Sequence, residues 1–287
     1  MSTKRFPDFI VLGAQKAGTT WLGARLNEQP GVFLPNPFEV NYFSHARNYK
    51  KGPDWYAAKF ENAPADSIVG EKTPGYFWTV RPPAWGPNDI PERMHDLVPD
   101  ARLIVVLRDP VKRAISALNH YVRSRAFSPF VNPDKVLTEA LEPAREKFGL
   151  IGHGLYLRNL KRYLTLYPRE RICVLFFEDD IVASPDATLD RVMRFLGREK
   201  KQPIKEPLRP ENRRMNSRVG LIANYFAPRL GPVVSAVDRL MPAGSEIVPS
   251  DECRARLYDY FAPHNEALFE FLGRKTDAWT SRGHIAS

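Results

Sequence analysis

Near the amino terminus, the residues best equipped for chemistry form the run Gly13-Ala14-Gln15-Lys16-Ala17-Gly18, followed by Thr19-Thr20-Trp21. Two glycines bracket a cation, and two hydroxyls come directly after. Loop amides, the Lys16 ammonium and the threonine hydroxyls are all donors, so the set suits an anion. Where such a loop opens a helix, the unpaired N–H groups and the positive end of the dipole add to that preference. The glycine spacing matches the nucleotide loop G-x-x-x-x-G-K-[ST], but the lysine does not, because Thr19 follows Gly18 and the cation has moved inside the loop. In nucleotide loops the lysine reaches the β- and γ-phosphates and the hydroxyl after it holds magnesium. Lys16 instead predicts a shorter anion with one terminal leaving group.

Three further groups are candidates. Glu39 lies between Phe38 and Val40; apolar surroundings raise a carboxyl and make it a general base, whereas on an edge segment it is a surface glutamate. Glu71, Lys72 and Thr73 stand at the carboxyl end of the apolar run 67–70, where ligands of open α/β sheets collect. Arg108 ends another apolar run, Ser116 follows on the next helix, and a guanidinium with a hydroxyl suits a second phosphate. Arg213 and Arg214, in a basic stretch, are placed to close over a nucleotide, though charge runs are commonly just solvated.

The elements that must position these groups read as alternating strands and helices. Residues 9–12, 67–70, 101–107 and 171–177 are short, apolar and β-rich. Helices are predicted from Thr19, over 111–123 after Pro110, and over 135–147, 155–167 and 187–196. A final helix covers 251–272, and Gly197 and Gly273 act as stops. This alternation predicts an α/β fold, a P-loop-like single domain with a central parallel sheet flanked by helices on both faces. The domain is expected to span 1–287, with a basic mobile loop at about 198–218. A helical segment at about 219–245 follows, either lining an acceptor cleft or packing on the body.

The formal charge of +9 calls for an anionic ligand. Lys and Arg are spread along the chain rather than massed in an arm, which argues against a nucleic-acid partner. Cys173 and Cys253 lack metal or redox spacing and read as buried small hydrophobes, and the six histidines form no zinc pattern. No apolar run is long enough for stable membrane insertion, and the first residues leave no room for a signal peptide, so a cytoplasmic location is expected. The sequence does not define an oligomeric state.

Four stretches in order, Gln15-Lys16-Ala17-Gly18-Thr19-Thr20, Phe38-Glu39-Val40-Asn41-Tyr42-Phe43, Glu71 to Phe77 and Leu107 to Ser116, resemble the PAPS-dependent sulfotransferases, in particular the heparan sulfate sulfotransferase branch and its bacterial relatives. The resemblance runs from Phe9 to about Gly197 and returns from Pro263 to Trp279. It implies that Gln15, Lys16, Ala17, Gly18, Thr19, Thr20 and Trp21 bind the 5′-phosphosulfate of 3′-phosphoadenosine 5′-phosphosulfate (PAPS), and that Arg108 and Ser116 bind its 3′-phosphate. It further implies Glu39 as general base, Lys72 as a second active-site cation, adenosine 3′,5′-bisphosphate (PAP) as product and a bacterial type of enzyme. The acceptor implied is a hydroxylated small molecule, lipid or glycan. Sulfuryl transfer of this kind needs no metal. Asn41 and Ser44 stand where the glycan enzymes have a histidine and an aspartate, and their cysteine-bridged nucleotide loop is missing. These departures point to a neutral or weakly charged acceptor.

Two other readings stay open from the residues alone. One is an NTP-dependent phosphotransferase in which Asp109 ends a magnesium-binding strand; the other is a non-catalytic nucleotide-binding protein.

Overall fold

The chain builds its sheet mostly from apolar runs, as a central parallel sheet covered on both faces requires. In the computed structural model, which describes residues 4–81, 86–204, 218–226 and 246–280, five strands form one parallel sheet in the order β2-β3-β1-β4-β5. These are β1 (Phe9–Gly13), β2 (Val32–Phe33), β3 (Ile68–Lys72), β4 (Arg102–Leu107) and β5 (Ile172–Phe176). Phe9 pairs with Gly70 on one side and Arg102 on the other, and the register slips between Val11 and Gly13 along β4. All of β1 and nearly all of β4 are buried.

The helices are α1 (Thr19–Asn27), α2 (Ala46–Tyr49), α3 (Gly52–Ala57), α4 (Ile90–Leu97), α5 (Pro110–Arg123), α6 (Pro133–Glu139), α7 (Tyr156–Leu164), α8 (Pro185–Phe195), α9 (Arg218–Phe226) and α10 (Asp251–Leu272). They flank the sheet, with α1 packed on α8 and α10 packed on α5, α6 and α7. Asp109 caps α5, accepting from the amides of Val111 at 2.9 Å and Lys112 at 3.1 Å, and Pro110 fills the first turn. Gly273 ends α10 in the left-handed region at φ 61, as a C-terminal glycine does.

Three expectations change. The helix predicted over 135–147 stops at Glu139 and gives way to turns ending at Phe148 and Gly149, both at positive φ. Residues 38–43, read as an apolar or an edge segment around Glu39, form bends and turns, with Asn41 at φ 55. The basic stretch begins tied down: the Gln29 amide accepts from the backbone of Lys201 and Gln202 and donates to Gln202. The rest of that stretch, with Arg213 and Arg214, and most of the helical segment beyond α9 lie outside the described residues.

Candidate active site

The crevice is built at the carboxyl ends of three adjacent strands, where β1 separates β3 from β4. β1 feeds the loop, in which Lys16 at φ 66 and Gly18 at φ 85 both take left-handed backbone. For glycine this costs little. For lysine it is an unfavourable conformation of the kind that collects at ligand sites. Gly18 is also held at close range: a Cβ there would lie 2.7 Å from the Phe177 ring. The loop is pinned from below by the Ala14 amide, which donates to Val106 O at 2.7 Å. From the side, Gln15 Nε2 donates to the Tyr121 hydroxyl at 2.8 Å, and that hydroxyl donates to Phe148 O at 3.1 Å.

Arg108 leaves the end of β4 and crosses to the loop. Its Nη1 donates to Lys16 O at 3.0 Å, and its guanidinium lies 5.0 Å above the Phe177 ring. Its Nε is buried without a partner. The same arginine thus braces the loop and keeps unspent donors beside it.

Lys16 lies among like charges. Burial, then Arg123, then Arg108 lower its ammonium to about 8, against smaller opposing effects of Glu39 and Glu246. Ser116 sits half-buried on α5. His120 and Arg123 follow four and seven residues later, so they share its helix face. Burial, Lys16 and Arg123 hold His120 below the usual imidazole range, and Glu39 opposes them. His120, Arg123 and Glu246 were not among the sequence candidates. The helical spacing from Ser116 was the available signal for the first two; nothing in the sequence signalled Glu246.

Glu39 departs from expectation. Val40 is buried and Phe38 partly buried, while the Glu39 side chain stays 47% exposed. It is held by Lys72, whose Nζ lies 2.5 Å from Oε1 and also donates to Thr20 Oγ1 at 3.4 Å. Lys72, almost wholly buried, therefore links the candidate base to the anion loop. Asn41 and Ser44 turn toward each other, Ser44 Oγ to Asn41 Oδ1 at 3.5 Å, and serve the turn. Trp21 is 5% exposed and belongs to the core, so it shapes the loop from beneath.

Asp109 is spent structurally. Besides capping α5 it accepts from the Tyr258 hydroxyl at 2.9 Å, and it is fully buried. A strand-end aspartate committed to three donors has little left for magnesium, which weighs against the phosphotransferase reading. Among the described residues no cluster of three His, Cys, Asp or Glu could hold a metal, and no helix is long and apolar enough to cross a membrane. Cys173 and Cys253 are unpaired thiols.

Comparison with known proteins points one way. Mouse heparan sulfate glucosamine 3-O-sulfotransferase 5 is 24% identical over 282 residues, covering 94% of this chain and 73% of the relative. The human 3-O-sulfotransferase 6 is 31% identical over 196 residues, covering 68% of this chain and 53% of the relative. A sulfotransferase from Alicyclobacillus acidocaldarius shares the fold, with a TM-score of 0.69 and 24% identity over 96% of this chain and 99% of that one. Residues 6–218 match the family model described as the sulfotransferase domain, and the chain is accordingly a member of the sulfotransferase family.

Proposed function

We propose that the protein transfers the sulfuryl group of PAPS to a hydroxyl of a neutral or weakly charged acceptor. The observation that carries this is the Lys72 bridge: one buried ammonium contacts both the Glu39 carboxylate and Thr20 of the anion loop. In this reading that ammonium holds a base for the acceptor and a cradle for the donor on either side of one small space.

In this reading the loop amides, Lys16, Thr19 and Thr20 hold the phosphosulfate, and Arg108 and Ser116 take the 3′-phosphate. Glu39 removes the acceptor proton as the acceptor oxygen forms its bond to sulfur. The bond from sulfur to the bridging oxygen breaks, leaving PAP, and Lys16 stabilises the charge gathering on that oxygen. The proton ends on Glu39 and the sulfuryl group on the acceptor. Arg213 and Arg214 are assigned to closing over the nucleotide, within a single domain spanning the chain. The acceptor class is read from Asn41 and Ser44 together with Glu246, whose carboxylate acts on both Lys16 and Arg123.

Incubation with labelled PAPS and a panel of lipid, polyketide, simple-sugar and heparan-type acceptors tests the reading. Transfer to neutral alcohols supports it. Efficient transfer to heparan-type oligosaccharides would overturn the acceptor class, and no transfer at all would overturn the activity.

A further inference from the structure

Behind the crevice lies a carboxylate that the reaction does not use. Glu71 is fully buried. Successive residues of a strand point to opposite faces, so β3 sends Lys72 toward the crevice while Glu71 and Thr73 face the rear. There they meet the turn that carries Glu39.

Two hydroxyls bond Glu71 directly, and two further polar groups act on its charge. The Tyr56 hydroxyl donates to Oε1 at 2.7 Å and the Thr73 hydroxyl to Oε2 at 3.3 Å. The Tyr76 hydroxyl and the Val40 amide also favour its charged form. Two of these hydroxyls accept in turn from the same turn: Asn41 N donates to Thr73 Oγ1 at 3.3 Å, and Phe43 N to the Tyr76 hydroxyl at 3.3 Å. The Asn41 amide therefore reaches the carboxylate through the Thr73 hydroxyl, and the Val40 amide and the Tyr76 hydroxyl that holds Phe43 N act on the same charge. An ionised carboxylate offers about four acceptor sites and no donor, which matches this set. Burial pushes the Glu71 carboxyl up to about 7, opposed by the same four groups. The turn needs such a hold, because Asn41 is in left-handed backbone at φ 55.

From this arrangement we propose that Glu71 is a positioning residue for the reaction: it clamps the turn 38–43 from behind, as Lys72 clamps Glu39 from the front, and so sets the direction of the base. The proposal rests on the role given to Glu39 above. Tyr56 extends the clamp to α3, and its ring stacks on Tyr42 of the turn at a centroid distance of 4.5 Å.

Glu71→Gln keeps the shape but turns two donors toward a site already full of donors. The expected result is PAP affinity within about twofold of wild type and a kcat for transfer lowered roughly a hundredfold, the scale of a misplaced reacting group. Added to Glu39→Gln, the same change costs little further, since a base that is absent cannot be misdirected. Amide exchange is expected to quicken in the peptide covering 38–43 and to stay unchanged in 13–21. Thr73→Val and Tyr76→Phe, each removing one relay, produce the same local quickening in milder form if Glu71→Gln does not fold. Additive losses in the double variant, an unchanged kcat, or exchange quickened throughout the chain would each overturn the proposal. If the wild-type protein transferred no sulfuryl group, the activity reading would fail separately. The exchange arm would still decide whether Glu71 holds the turn.

Discussion

Lys16 gives a quantitative test of the donor site. Its ammonium is lowered from the usual 10.5 to about 8 by burial and by the neighbouring Arg123 and Arg108. PAP brings phosphate groups to that position, which favours the charged form and returns the proton. At pH 9 about nine-tenths of the free protein lacks the proton, at pH 8 about half, and at pH 7 about a tenth, as follows from a value near 8. Binding should therefore take up about 0.9, 0.5 and 0.1 proton at those pH values. The sign is fixed: a cation with a lowered value binds the anion fully below about pH 8, and affinity falls as pH rises through 8, approaching tenfold per unit above it. Calorimetry of PAP binding in buffers of different ionisation enthalpy reads the uptake directly. Lys16→Ala should abolish the uptake and reduce turnover by at least roughly a hundredfold, and Lys16→Arg should abolish the uptake while keeping much of the affinity. Uptake that is absent in the wild-type protein between pH 7 and 9, or that persists in Lys16→Ala, would refute the placement of Lys16 against the phosphosulfate.

Glu39→Gln should lower the transfer rate by roughly two to four decades while leaving PAP affinity intact, measured as single-turnover rate beside calorimetry. Arg108→Ala should weaken PAP by roughly 2–4 kcal/mol, since it loses charged hydrogen bonds and the brace on Lys16 O. The wild-type preference for PAP over ATP and AMP should shrink with it, and equal wild-type affinity for the three nucleotides would remove the 3′-phosphate assignment. Gly18→Ala should cost about 1–3 kcal/mol of stability in denaturant unfolding and weaken PAP, because the new Cβ meets the Phe177 ring in left-handed backbone.

The loop at Lys16 and the strand ends at Lys72 and Arg108 were legible in the sequence because local rules govern them. Apolar runs bounded by glycine and proline define parallel strands, and a topological rule puts ligands at their carboxyl ends. Glu39 was singled out for a reason the structure corrects: Val40 is buried and Phe38 partly so, while the carboxylate stays out against Lys72. The partners that give it direction lie on a distant strand, and no local pattern reports such a pairing. His120 and Arg123 were readable in principle from their spacing to Ser116, whereas Glu246 enters the site through a tertiary clamp, in which Asn119 exchanges two hydrogen bonds of 2.9 Å with the backbone of Ile247. The helix predicted over 135–147 was carried too far past Pro143, which lacks an N–H and whose ring crowds the carbonyl of Glu139, where the helix stops; beyond it the Glu146 carboxylate accepts from the amides of Ile151 and Gly152.

The place of β1 in the sheet also bears on how the chain folds. It is made before the other four strands and ends up innermost, since Phe9 pairs with Gly70 and with Arg102. Until both later strands arrive, the hydrogen-bonding groups along both edges of β1 lack strand partners, and closing those long loops is a slow, non-local step. The anion loop has no frame before β4 is in place, because its Ala14 amide is anchored on Val106. Donor-site assembly should therefore appear late in refolding, and PAP added to a refolding mixture should act on the final product rather than speed collapse. A nascent chain stalled before Leu107 would carry every residue of the loop and still present sticky strand edges in place of a site, which makes early synthesis the stage most dependent on chaperones.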